Sequence, residues 1–314
     1  MLFRPKLAQA LPAEGREVVW TQALRSGGAL APAAGIFAAA ALWLLSVQAA
    51  SAAGAVKVLY AGSLVNLMER DIGPAFNKTT GAHFQGYAGG SVELANEIKG
   101  NLRQGDVFVS ASPKVNDDLM GAANGDWESW YITFAESPLV IGYNASSKFA
   151  AEFKTKPWYQ VLQEPGIRIG LTAPTLDPKG ALTLRLLKRA EAFYDTPGLS
   201  EKVIGRPSVP EDVEAPLLQS GVLDVGFFYS TETADAKIPT VALPVAIAPK
   251  AIYTVTILHS TPNPQGARKF VAYLLGSEGQ NLLRRHGMKL RQIHISGDAN
   301  TVPQTIKAIT DDAK

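Results

Sequence analysis

Two serines, Ser63 and Ser91, stand where anion-binding chemistry can be assembled. In the stretch Val56-Lys57-Val58-Leu59-Tyr60-Ala61-Gly62-Ser63-Leu64, the alternation from Val56 to Tyr60 predicts a strand. Ala61-Gly62 is a tight small-residue turn. Ser63 then opens a helical pattern through Leu64, Leu67, Met68 and Ile72. A serine at a helix start accepts a bond from an orphan N–H of the first turn. A hydroxyl and several free N–H groups at the end of a strand form a site for anions. Ala88-Gly89-Gly90-Ser91 repeats the device before Leu94, Ala95 and Ile98, with Glu93 and Glu97 suited to the positive end of the helix. Parallel strands place such turns on one edge of a sheet. The plainer role for either serine is an ordinary helix cap.

Other chemistries find little support. The chain has no cysteine, which excludes disulfides, thiolate metal sites and cysteine nucleophiles. Its four histidines, His83, His259, His286 and His294, show no paired spacing, so neither a zinc site nor any directly bound metal is expected. A serine hydrolase needs a histidine and an acid beside the nucleophile. No Gly-x-Ser-x-Gly elbow surrounds Ser63 or Ser91. The expectation is a binding protein and not an enzyme, with no cofactor.

The elements that must position these residues follow a βαβα order. The chain has 314 residues, enough for two domains, with 46% hydrophobic and 18% charged residues. Net charge is +2, but the first 52 residues carry four basic and two acidic side chains, and the remainder is balanced. No basic patch argues for nucleic acid. Strands are expected at Ala82–Tyr87, Asp106–Ser110, Ser137–Tyr143, Ile167–Leu171, Val222–Tyr229 and Tyr253–Leu258. A long amphipathic helix should run from about Pro264 to Arg285. Trp127 and Trp130 read as packing residues. Pro138 suggests a crossing into a second lobe, and Thr240–Leu243 with Pro244 suggests the return. The expected fold is α/β, two lobes of mainly parallel sheet flanked by helices, with a ligand cleft between them. The expected boundaries are residues 53–136 with 245–314 for the first lobe, and 137–244 for the second.

The front of the chain reads as an export signal. Arg25 precedes an apolar core from Ile36 to Val47, and Ala50-Ser51-Ala52 fits the small-residue rule for signal peptidase. Cleavage near Ala52 would release the mature protein into the periplasm. A retained membrane anchor is the rival, because counting from Gly28 the uncharged run reaches about spanning length.

Several of these motifs together resemble a known family. Ala61-Gly62-Ser63-Leu64, Gly90-Ser91, Asp106–Ser110, Pro138–Tyr143, Glu211-Asp212-Val213 and the tail Tyr253–Gly287 resemble the periplasmic molybdate/tungstate-binding proteins of ABC importers. The resemblance implies the two-lobed, hinged type II substrate-binding fold. It also implies an oxyanion ligand, a membrane permease as partner and a monomeric protein. In bacterial members the tetrahedral oxyanion is held by hydroxyls and backbone N–H groups. The hydroxyls would here be Ser63, Ser91 and Tyr229. The backbone donors would be Ser63, Ser91, Lys179 and Val213. Archaeal-type relatives add a carboxylate pair that completes octahedral coordination of the metal. Asp177 matches its first member, but the second would fall at Phe228, which cannot coordinate. Glu211 and Asp212 are expected to stabilise a helix start, and Asp177 to form a turn before Pro178. Lys179 is expected either to donate its N–H or to lie as a solvated loop charge. The same scaffold would also suit sulfate, phosphate or a small organic acid.

Overall fold

A single 14-residue strand threads both halves of the molecule. The computed structural model describes residues 54–312, so the export-signal expectation lies outside the described residues. The strands are β1 (Ala55–Ala61), β2 (His83–Gly89), β3 (Val107–Ser110), β4 (Trp130–Tyr143), β5 (Ile169–Gly170), β6 (Val225–Tyr229), β7 (Thr240–Val241), β8 (Lys250–Ile257) and β9 (Lys289–Gly297). The helices used below are α1 (Gly73–Thr80), α2 (Ser91–Lys99), α3 (Pro178–Tyr194), α4 (Glu214–Gln219), α5 (Ser230–Asp235), α6 (Pro264–Leu275) and α7 (Ser277–Arg285).

In the first lobe β1 lies between β2 and β3, parallel to both. Its two faces are both covered, which is why its sequence is nearly all apolar. Val56, Val58 and Tyr60 enter the main core with Phe76 and Phe270. Leu59 faces the other way, onto Leu94, Ile98 and Phe108. The Phe76 and Phe270 rings meet edge-on at 5.3 Å. That contact ties α1, near the start of the described chain, to α6, near its end. Each fully buried phenylalanine contributes about 1.5–3 kcal/mol, so both ends of the described chain are needed to build this lobe.

β4 pairs with β8 from Ile132 to Pro138 in the first sheet. It continues into the second, where Leu139–Tyr143 pair with β6. β8 returns opposite it, with Lys250 beside Pro138 and the Leu139 N–H donating to the Pro249 carbonyl at 2.9 Å. These two adjacent strands form the hinge. In the second lobe β6 lies between β4 and β5, and β5 runs parallel to it.

The two-lobed α/β fold is as expected, but the sheets are mixed and not mainly parallel. Only the β1–β2, β1–β3 and β5–β6 pairings are parallel. Strands that cross directly between lobes and back must run against each other. The return also comes later than Pro244. Thr240–Val241 still pair with β4 inside the second sheet, and the chain crosses only at Pro249–Lys250. The helix expected from Pro264 to Arg285 is two helices, broken at Gly276, whose extended backbone (φ −75°, ψ 175°) cannot continue the first. β9, which pairs with β4, was not anticipated from the sequence. Trp130 is buried in the core, and Trp127 packs beside Leu119 and Leu258.

Candidate functional site

The end of β1, the start of α3, the turn before α4 and the end of β6 meet between the lobes. Each brings a residue singled out from the sequence. Ser63 sits in the 3-10 turn Gly62–Leu64 that follows β1. This turn packs against the Glu211–Val213 turn of the second lobe. The approach is close enough that a Cβ on Gly62 would lie 3.1 Å from Glu211 Oε2 and 3.0 Å from the Asp212 nitrogen, so any larger residue there would press on that turn. On the other side of the cleft, the start of α2 rests on the loop before α3. The Glu93 N–H donates to the Leu176 carbonyl at 2.9 Å, and a Cβ on Gly90 would come within 2.7 Å of that same oxygen.

Neither serine is the cap that the sequence suggests. Ala61 and Gly90 hold the N-cap positions, one residue before each serine. The Ser63 Oγ lies instead 3.2 Å from the Tyr253 hydroxyl on β8. Ser91 is fully buried, and its Oγ accepts the Ala111 N–H at 3.1 Å. The Val213 N–H makes a long bond, 3.4 Å, to the Pro210 carbonyl. Tyr229, at the end of β6, is fully buried against Tyr253, with rings 6.0 Å apart. Its hydroxyl has no hydrogen-bond partner.

Lys179 departs most from expectation. It is neither a solvated loop charge nor a free backbone donor. Its N–H is taken by Asp177 Oδ1 at 3.0 Å, which makes Asp177 the N-cap of α3. Its side chain is wholly buried. The ammonium lies 2.9 Å from Glu214 Oε2, 3.0 Å from Glu232 Oε1 and 3.9 Å from Glu211 Oε1. Glu232 Oε2 accepts the Tyr229 N–H at 2.7 Å, so it is fixed at the start of α5. Four buried carboxyls thus surround one cation.

Burial dominates the electrostatics. It raises the pKa of Asp177, although the charge of Lys179 opposes it. Burial, then the nearby Asp177, pushes Glu211 well above the usual carboxylate range. Glu214 is pushed up to about 7 by burial against the pull of Lys179. Glu232 is raised for the same reason. Burial alone would lower the Lys179 ammonium, but Glu214, Glu232 and Glu211 outweigh it and hold it well above its ordinary value. Burial and the nearby Asp177 likewise raise the Tyr229 phenol.

Several oxygens in this interior are unsatisfied. Asp177 Oδ2, both Glu211 carboxylate oxygens, the Tyr229 hydroxyl and Thr172 Oγ1 are buried without a hydrogen-bond partner. Buried polar atoms left unpaired cost about 1–3 kcal/mol each, so each of these oxygens calls for a water, an ion or a ligand to satisfy it. Phe228 packs into a small cluster with Leu218, Leu223 and Ile238, its ring centre 5.5 Å from the Lys179 ammonium. Glu211 puts a carboxyl near Asp177 instead. Sequence reasoning missed Glu211, Glu214 and Glu232 because acids in a first helical turn normally serve the helix dipole. A cavity of about 200 Å³ between the lobes is lined by Ser63, Glu211, Glu232, Arg70 and Lys237, while Ser91, Asp177 and Tyr229 lie outside its lining. A larger hollow, about 660 Å³, lies at the β8–β9 side, where Glu136 already pairs with Lys250 and Arg291.

Two α/β lobes joined by crossing strands and closing on a buried polar cleft define the architecture of a solute-binding protein. Residues 56–289 match the bacterial extracellular solute-binding proteins, and the chain belongs to that family. It is 27% identical over 272 residues to an uncharacterised solute-binding protein of Petrotoga mobilis, covering 74% of this chain and 83% of that one. It is 22% identical over 311 residues to the molybdate/tungstate-binding protein of Thermococcus kodakarensis, covering 81% and 86%. Its fold matches the periplasmic molybdate-binding protein of Azotobacter vinelandii with a TM-score of 0.61 and 22% identity, over 75% of this chain and 99% of that one. The protein is therefore the solute-binding component of an ABC transporter and not an enzyme. Among the described residues no helix is long and apolar enough to cross a membrane.

Proposed function

We propose that this protein captures molybdate or tungstate in the periplasm and delivers it, as a monomer, to the permease of an ABC importer. Residues 54–138 with 250–312 act as one jaw and residues 139–249 as the other. The observation that carries this reading is the buried set of unpartnered oxygens on Asp177, Glu211 and Tyr229, with Glu211 and Ser63 lining one cavity between the lobes. Carboxylates repel sulfate, whose sulfur takes no further oxygen ligand. Molybdenum and tungsten do accept additional oxygen ligands, so a carboxylate pair favours them. Asp177 and Glu211 are the residues for that role, with Ser63, Tyr229 and the backbone of Ser91 and Val213 around them. Lys179 acts behind the site, as the counter-ion that keeps its acids in place. The narrow opening of about 200 Å³ suits a small inorganic anion better than an organic phosphate.

Hydrogen phosphate is the second reading, because the buried Asp177 Oδ2 is an acceptor that a P–OH donor would satisfy. Calorimetry with molybdate, tungstate, sulfate and phosphate separates the two. Molybdate and tungstate should bind at least about a hundredfold tighter than sulfate or phosphate. Tighter binding of phosphate than of molybdate would overturn the proposal.

A further inference from the structure

The acids behind the binding surface outnumber their counter-ion. Glu214 and Glu232 both contact the ammonium of Lys179, at 2.9 and 3.0 Å, and all three side chains are at least nine-tenths buried. One of the two carboxyls is surplus. Glu232 is the better supported of the two as an anion, since it accepts the Tyr229 N–H at 2.7 Å as well as facing the ammonium. Glu214 is held only by the Phe227 N–H at 3.3 Å, besides Lys179. It packs against Gly170 and Gly226, where a Cβ would lie 2.9 Å from its Oε1, so no water-filled space surrounds that oxygen. The other charged groups acting on it are Asp177 and, through the shared ammonium of Lys179, Glu211. Arg70 and Lys237 stand outside, at the mouth.

A dianion arriving in front of Asp177 and Glu211 adds two negative charges beside a buried cluster in which several carboxyls share the one ammonium of Lys179. Charges in such an interior cost several kcal/mol unless compensated. No second buried cation is available among the described residues of this cluster, and a proton is the remaining compensation. We propose that Glu214 is a proton-binding site coupled to the ligand site, so that the protein takes up a proton as it binds its oxyanion. This inference rests on the reading that the cleft binds a dianion. The raised pKa of Glu214 fits it, because a group titrating near neutrality responds to a new neighbouring charge. Capture would then tighten on the acid side of neutrality and loosen on the alkaline side.

The test is calorimetric titration of the purified protein with molybdate in buffers of different ionisation enthalpy, repeated between about pH 7 and pH 8.5. The expected result is uptake of about half to one proton per molybdate, with affinity falling up to about tenfold per pH unit as pH rises. Glu214→Gln keeps the side-chain shape and removes the proton site, so uptake should disappear and affinity should become nearly flat with pH. Glu232→Gln leaves one carboxylate for one ammonium and should also remove the uptake. Binding without proton uptake by the unaltered protein overturns the proposal and leaves the oxyanion reading standing. Uptake that persists unchanged in Glu214→Gln also overturns it. Failure to bind any oxyanion across this range removes both readings together.

Discussion

His286, at the end of α7 in the first lobe, holds Asp235 of the second lobe through Nδ1 at 2.6 Å. Its other nitrogen, Nε2, lies 3.0 Å from Asp71 Oδ2 in the first lobe. One imidazole thus ties an acid of each lobe, beside the cavity that Asp235 lines together with Glu211 and Glu232. Such a tie exists only while the lobes are closed. His286→Ala should leave the melting temperature of the unliganded protein nearly unchanged but favour the open form. Loss of about 1 kcal/mol from closure corresponds to about a fivefold rise in the molybdate Kd, carried by faster release. Stopped-flow dissociation of the variant checks this. An unchanged release rate would show that the tie does not stabilise closure.

The two serines should behave differently when replaced. The Ser63 hydroxyl meets only the Tyr253 hydroxyl, at the cleft. Ser63→Ala should therefore weaken molybdate binding by about tenfold or more, with little effect on stability. The Ser91 hydroxyl accepts a buried backbone N–H from Ala111. Ser91→Ala strands that donor, which costs about 1–3 kcal/mol. Thermal denaturation without ligand should show a lowered melting temperature for Ser91→Ala alone. Calorimetry of the double variant should show no molybdate binding.

The same contrast shows what the sequence carries. β1, β2 and β6 were readable because their apolar runs and flanking small residues arise from local geometry. The positions of Ser63 and Ser91 at strand ends were readable for the same reason. Their hydroxyl partners were not, since Tyr253 and Ala111 are brought there by strands far away in the chain. Lys179 and Glu211 carry the charges of ordinary surface residues in turns, and only tertiary packing buries them. β9 escaped notice because it is largely exposed, so its residues Lys289, Arg291, Gln292 and His294 show little apolar periodicity.

Asp177 and Glu211 should govern which anion is preferred. If they serve as oxygen ligands to a metal oxyanion and repel sulfate, Asp177→Ala and Glu211→Gln should each lower the affinity for molybdate. Each should also narrow the preference for molybdate over sulfate by about tenfold or more. Asp177→Ala additionally removes the N-cap of α3, a loss of about 1 kcal/mol in stability, whereas Glu211→Gln replaces a carboxyl whose oxygens have no hydrogen-bond partner and should not destabilise the protein. A thermal-shift panel of molybdate, tungstate and sulfate reads both effects, because ligand binding raises the melting temperature. Equal loss for all three anions would show that the carboxyls only shape the pocket.

Acid stability of the second lobe should depend on Asp224. Its Oδ1 accepts from Arg168 Nη2 and from the Ser147 hydroxyl, both at 2.7 Å. Its Oδ2 accepts from Arg168 Nε at 2.8 Å and from the Arg168 N–H at 2.9 Å. Burial pushes this carboxyl up, but these four donors outweigh it and bring it down to about 2. A carboxyl more acidic in the folded chain than in the unfolded one stabilises the fold when ionised. The contribution is therefore present above the unfolded value of about 4 and is lost as pH falls from there to about 2. Arg168 is half exposed, so water screens the pair and the contribution is about 1–2 kcal/mol. Asp224→Asn should lower the melting temperature by a few degrees at neutral pH. The difference from the unaltered protein should shrink steadily below about pH 4 and vanish only below about pH 2, where the native carboxyl is itself protonated. A difference that stayed constant across that range would assign the effect of the variant to packing and not to charge.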